Sequence, residues 1–166
     1  MALEHDYFGV IDETSDGGLF WSDKIELGDQ AVTLELSADD ERRVRESSLD
    51  SAAAIVHALE GFDARARDAL VAQLGERASV TTSYIDRSVD ALGESLLDLL
   101  VYNSGDIAID VLRSLQLIRV SLYPERADEE ESFAVFDYSI SPDDSDALLI
   151  VSFDLRGDVV AVDMGE

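Results

Sequence analysis

Cysteine is absent from this 166-residue sequence, which removes disulfide frameworks and thiolate metal sites together. A reducing compartment is thereby permitted. Lysine occurs once, at Lys24, and bases total 12 against 37 acids, for a formal net charge of −25. Duplex DNA and anionic membrane surfaces are bound through clustered Lys and Arg, so neither is an expected partner. Long apolar runs are also missing. The longest, Ala52 to Ala58, is interrupted by His57 and falls far short of the roughly 20 residues of a spanning helix. The opening MALEHDYF carries acids where a signal peptide has a basic stretch and then an apolar one. The sequence therefore predicts an untargeted, cytoplasmic protein. With only His5 and His57, the three or four nitrogen and sulfur ligands of a zinc site cannot be assembled. No GxSxG elbow, HExxH pair or Walker-type glycine loop occurs, so no catalytic residue and no cofactor is predicted.

What is present is acid, unevenly spread. Residues 1–36 carry nine acids and one base, residues 37–114 fifteen and eight, and residues 115–166 thirteen and three. The middle is the more balanced part. Spread over a folded surface of roughly 8,000 Å², the carboxylates lie roughly 15 Å apart, beyond the Debye length of about 8 Å at physiological salt. Low ionic strength should therefore destabilise the fold through self-repulsion. The acidity has two readings at this stage, a surface for a basic partner or a device for solubility or salt adaptation.

The apolar pattern changes period twice. Tyr7 to Ile11, Leu19 to Leu27 and Ala31 to Leu36 read as strands separated by Gly and Asp clusters. From Ser37 a helical period begins, with Ser37 and Asp40 resembling a cap, Gly61 an end, and Asp63 the cap of a second helix bearing Ala66, Leu70 and Leu74. A third carries Ile85, Val89, Leu92, Leu96 and Leu99 with Gly93 inside it, and a fourth runs from Ile107 to about Leu115. Near Gln116 the period returns to two, giving strands to Leu122, over Phe133 to Ile140, Leu148 to Leu155 and Val159 to Met164. The order β-β-β-α-α-α-α-β-β-β-β has no βαβ alternation. It predicts one α+β domain over residues 1–166, a two-layer sandwich of a mainly antiparallel sheet with helices packed on one face.

Alternation also divides the sheet residues. Val32, Leu34, Leu36, Ile118, Val120, Leu122, Phe136, Tyr138, Leu149, Val151, Phe153 and Val162 should face the helices. Lys24, Glu26, Glu35, Arg119, Asp137, Asp154 and Asp163 should face away, leaving a broad, mostly acidic surface. Glu26, Glu35, Asp137, Asp154 and Asp163 are accordingly the candidate residues for binding a basic partner protein. Two acidic stretches invite a cation reading. DETSDGGLFWSD, residues 12–23, sets Asp12, Thr14 and Asp16 at positions one, three and five of a calcium loop, Gly17 at six and Asp23 at twelve. Against it stand the short Asp at twelve and the strand-like flanks, so a loop between strands is the first reading and a metal site the second. Asp143 to Asp146 reads first as a solvated turn and Glu125 to Ser132 as an exposed loop.

The run His5-Asp6-Tyr7-Phe8-Gly9, followed by Trp21, Lys24-Ile25-Glu26-Leu27-Gly28 and Val32 to Leu36, resembles a bacterial family of domains of unknown function whose members open with a Tyr-Phe-Gly strand and a hairpin. The closing stretch from Ser152 to Asp163 is similar to hairpins of small bacterial proteins, including immunity proteins that neutralise toxins. The resemblance covers about the first quarter of the chain. It implies a two-layer α/β arrangement and supplies no catalytic residues. The functional expectation is a non-catalytic protein-binding module, with an immunity-type inhibitor as one form. The alternative is a divalent-cation-binding domain or metal-dependent enzyme using the acidic loops.

Overall fold

The computed structural model describes residues 3–28, 30–100, 104–126, 132–143 and 146–165. Four strands come first: β1 (Leu3–His5), β2 (Gly9–Glu13), β3 (Leu19–Leu27) and β4 (Gln30–Ala38). Five helices follow, α1 (Glu46–His57), α2 (Leu59–Ala72), α3 (Val80–Leu92), α4 (Ser95–Leu99) and α5 (Ile107–Ser114). Four more strands close the chain, β5 (Gln116–Leu122), β6 (Ala134–Ser139), β7 (Leu148–Phe153) and β8 (Val159–Gly165). The eight strands form one open sheet in chain order. All neighbours are antiparallel except β4 and β5, which run parallel with Thr33 opposite Arg119 and Leu36 opposite Leu122. Two antiparallel meanders are thus joined by one long crossover, which parallel neighbours require and the helices supply. No helix among the described residues is long and apolar enough to cross a membrane.

The core follows from strand alternation. Leu34, Val120, Phe136, Val151 and Val162 lie opposite one another in register across five strands. All but the half-buried Val162 are fully enclosed. Phe62 of α2 stands edge-on to Phe153, with ring centroids 5.3 Å apart, and Phe153 in turn lies 5.0 Å from Phe136 of this row. Each such side chain contributes about 1.5–3 kcal/mol by leaving water. The residues assigned to the helix side of the sheet are buried there, except that Val162 on the edge strand and Ile118 are only half-buried. A register shift between Leu117 and Arg119 explains Ile118, because the extra residue turns Leu117 inward in its place.

Several boundaries differ from the sequence reading. Asp6 to Phe8 form a turn between β1 and β2, where Gly9 takes φ +67°, so the aromatic Tyr7 and Phe8 are not in a strand. Ser37 is still in β4. Asp40 instead caps a 3₁₀ turn at Glu41–Arg43 by accepting from the Arg42 N–H, and α1 starts only at Glu46. Gly61 does not end a helix but lies in the first turn of α2, exposed. Asp63 caps nothing; it reaches out of α2 to the Tyr138 hydroxyl at 2.6 Å. Gly93 terminates α3 at φ +54°, which splits the expected stripe, leaves Val89 exposed and turns Thr81, Tyr84, Ile85 and Ser88 inward. Four helices thereby become five, and three leading strands become four.

Candidate functional site

The sheet face turned away from the core is less acidic than its sequence suggests. One row across it reads Lys24, Thr33, Arg119, Asp137, Ile150 and Asp163. The next reads Ser22, Glu35, Ser121, Val135, Ser152 and Ala161. Glu26 and Asp163 are exposed and Glu35 is half-buried. Asp137 is only 6 % exposed and accepts a 2.8 Å hydrogen bond from Arg119 Nε. Burial pushes the Asp137 carboxyl up, against the downward pull of Arg119. The same bond holds the Arg119 guanidinium more firmly protonated. Asp154 is 5 % exposed and looks into its own turn, where Oδ1 accepts from the Arg156 and Asp158 N–H groups at 3.0 Å each. The expectation that Asp137 and Asp154 point out to a partner is therefore corrected. One is neutralised by a cross-strand arginine, and the other is used as a turn cap.

Register separates the four calcium-loop candidates. Asp12 lies opposite Phe20 and Asp23 opposite Leu34. Directly opposed residues share a face, so Asp12 and Asp23 project from opposite sides of the sheet. Thr14 Oγ1 accepts from the Gly18 N–H at 3.0 Å, closing the loop on itself, and Asp16 is exposed at its tip. No group of three His, Asp or Glu residues placed to hold a metal ion occurs among the described residues. Of the other acidic stretches, residues 144–145 and 127–131 lie outside the described residues, while Asp143 and Asp146 are exposed. His5 ties β1 to α1: Nδ1 accepts from the Tyr7 N–H and Nε2 bonds Asp50 at 2.8 Å, which places the proton of the neutral ring on Nε2. His57 is exposed with its ring 4.8 Å from that of Tyr7.

Acids do converge at the C-terminal ends of β4 and β5. A cleft of about 340 Å³ is lined there by Glu13, Asp16, Gly17, Asp39, Asp40, Glu41 and Arg42. The β2–β3 loop is drawn onto the end of β4 because the Gly17 carbonyl accepts from the Glu41 N–H at 3.1 Å. Gly18 permits that approach, since a Cβ at this position would stand 2.3 Å from the Ala38 carbonyl oxygen. On the β5 side, the Glu125 carboxylate accepts from the Asp39 N–H at 2.9 Å and the Asp40 N–H at 3.2 Å. Arg42, the cleft's one base, binds Asp40 through Nε at 3.1 Å and Nη2 at 3.2 Å. That hydrogen bond, with the Arg42 backbone N–H, holds the Asp40 carboxyl below its ordinary range. Asp40 thus stays negatively charged near neutral pH in a cleft that it shares with Glu13, Asp16, Asp39 and Glu41. The sequence reading passed over Asp39-Asp40-Glu41 because it fell in the better-balanced middle and was assigned to a helix start. Three adjacent acids behind an alternating strand and level with a Gly-Gly turn were the available signal.

Compared with protein-family models, curated proteins and solved structures, the chain matches none.

Proposed function

We propose that this chain is a non-catalytic binding module that takes a basic segment of a partner protein at the acidic cleft between the β2–β3 loop and the β4 terminus. The observation that carries the reading is the convergence of Glu13, Asp16, Asp39, Asp40 and Glu41 on one cleft whose single guanidinium is already paired with Asp40. A net charge of −25 steers a cationic partner toward the molecule, while the local carboxylates select where it docks. Exposed Glu26 and Asp163, with half-buried Glu35, extend the negative surface over the open sheet face. Toxin neutralisation is one form this activity takes, supported by the likeness of the closing hairpin to immunity proteins.

The test separates local recognition from the general field. An Arg- and Lys-rich peptide is titrated at physiological salt against the native chain, against Asp16→Asn/Asp39→Asn/Glu41→Gln, and against Glu4→Gln/Glu26→Gln/Asp163→Asn. Both variants lose the same charge. At about 0.5–1 kcal/mol per exposed pair, the cleft variant should weaken binding about tenfold or more, and the other variant much less. Equal loss in both would leave the acidity as a solubilising field alone.

A further inference from the structure

A cavity of about 310 Å³ opens where α1 begins and is lined by Arg45, Ser47, Ser48, Ser51 and Leu155. It shares no residue with the acidic cleft. Leu155 comes from the turn between β7 and β8, so the cavity spans the start of the helical layer and the closing hairpin. No acid lines it, in a chain that has 37 of them.

The sequence leaves the start of α1 open. A helix N-cap is ordinarily Ser, Thr, Asp or Asn, whose side chain accepts from a first-turn N–H. Here the position is Arg45, and its side chain makes no capping bond. The Arg45 carbonyl accepts from the Ser48 and Leu49 N–H groups at 3.0 and 3.1 Å. The N–H groups of Glu46 and Ser47 have no protein acceptor among the described residues. They stand at the positive end of a 12-residue helix.

Two side chains make this more than a helix start. Ser48 is 4 % exposed, and its hydroxyl has no partner among the described residues. A buried hydroxyl without a partner is destabilising, so its place on the cavity wall points to an acceptor that the fold does not itself supply. The Arg45 guanidinium is exposed and binds no acid among the described residues, although Arg42 nearby takes Asp40. Ser51 donates its hydroxyl to the Ser47 carbonyl at 3.0 Å and so shapes the wall without adding a donor. The nearest acids are turned elsewhere. Glu46 is exposed in the first turn and does not line the cavity, and Asp154, beside Leu155, accepts within its own turn.

Backbone N–H groups, a buried hydroxyl and a guanidinium thus meet at one wall with no carboxylate among them. A tetrahedral phosphate presents three oxygens at once to such a set, whereas a planar carboxylate presents two. Leu155 supplies an apolar surface beside it. We propose that this cavity binds a small phosphate monoester, its phosphate set on the open start of α1 against Ser48 and Arg45 and its organic part against Leu155. The net charge of −25 opposes any anion at long range, and salt screens that repulsion while the local contacts persist.

Isothermal titration and thermal melting with phenyl phosphate, inorganic phosphate and benzoate test this, with sodium chloride holding physiological ionic strength constant. The expected result is a saturable heat and a raised melting temperature with phenyl phosphate, weaker binding of inorganic phosphate and none of benzoate. Arg45→Gln should weaken phenyl phosphate binding about tenfold or more, as for loss of a hydrogen bond to a charged group. Arg77→Gln removes the same charge from an exposed position outside the cavity and should leave binding unchanged. Ser48→Ala should weaken binding severalfold without lowering the ligand-free melting temperature, because the hydroxyl it deletes makes no bond within the described residues. The proposal would be overturned by the absence of saturable heat with phenyl phosphate, by tighter binding of inorganic phosphate or equal binding of benzoate, by equal losses in the two arginine variants, or by full affinity in Ser48→Ala.

Discussion

The parallel strands β4 and β5 begin and end in opposite chemistry. At their C-terminal ends five carboxylates line a cleft, and at their N-terminal ends two guanidinium groups and an amide line a cavity. Both ends are clasped in the same way, by a side chain next to one strand bonding backbone N–H groups beside the other. Gln30 takes the Leu117 N–H at the start, and Glu125 takes the Asp39 and Asp40 N–H groups at the finish. The clasp is one structural solution, and its charge differs. A neutral amide closes the end where donors gather, and a carboxylate closes the end where acids gather. The clasps thus close ends of different chemistry, and stability measurements can tell how firmly each one holds the parallel pair.

The largest effect should come from breaking the donor-lined end. Asp63→Ala strands the buried Tyr138 hydroxyl and removes the acceptor that orients Arg67. A buried unpaired donor costs about 1–3 kcal/mol, and loss of the part-buried ion pair adds to it, so denaturant unfolding should report a loss of about 3 kcal/mol. Tyr138→Phe removes the hydroxyl but leaves Asp63 with Arg67, and should cost about 1 kcal/mol. Equal costs for the two variants would mean that Asp63 serves the tyrosine alone and leaves Arg67 unfixed.

The two clasps give the next contrast. Leu117 is fully buried while Asp39 is exposed, so water can replace one acceptor and not the other. Gln30→Ala should cost about 2 kcal/mol and Glu125→Ala about 1 kcal/mol or less, measured by the same unfolding experiment. A reversed order would show that charge at the acidic end, rather than burial at the donor end, governs how firmly the parallel pair is held.

These two ends were unequally legible in the sequence. The period of two announced the strands and their inward residues, and the period near 3.6 announced a helical middle, because burial of one face dictates both patterns. Leu34, Val120, Phe136 and Val151 were readable for that reason. The parallel pairing of β4 with β5 was not, since strand order depends on where the crossover returns and leaves no local signature. The register shift that swaps Leu117 for Ile118 was hidden in the same way, as a bulge keeps the composition and changes only the facing. Among the candidate site residues, Asp137 and Asp154 failed because alternation reports direction and not company. An acid on the open face can still be covered by a cross-strand arginine or folded into a turn. Arg67 and Tyr138, separated widely in sequence, meet only through tertiary packing and gave no motif to read.

Asp137 also sharpens the comparison of the acidic and donor-lined ends, because it sits between them and tests whether burial or pairing decides the state of a carboxylate in this sheet. Its pKa in the folded chain is raised, chiefly by burial, with the Arg119 bond opposing. A carboxyl raised on folding contributes stability that is complete below the ordinary carboxylate range and is lost as pH rises through the folded value. Asp137→Asn removes that titration while keeping an oxygen for the Arg119 Nε–H. The melting temperature of the native chain relative to Asp137→Asn should therefore be lowest near pH 7 and rise as pH falls toward 4, in a paired series at constant ionic strength. Asp40, whose pKa is lowered by its hydrogen bonds with Arg42, has the opposite sign, so the native chain's advantage over Asp40→Asn should hold down to the ordinary carboxylate range and be lost only as pH falls below about 4. Because Asp40 is exposed to screening, its effect should be the smaller of the two. A native advantage over Asp137→Asn that instead grows toward neutral pH would mean that pairing with Arg119 outweighs burial, and that the open face carries a stabilising ion pair at its centre.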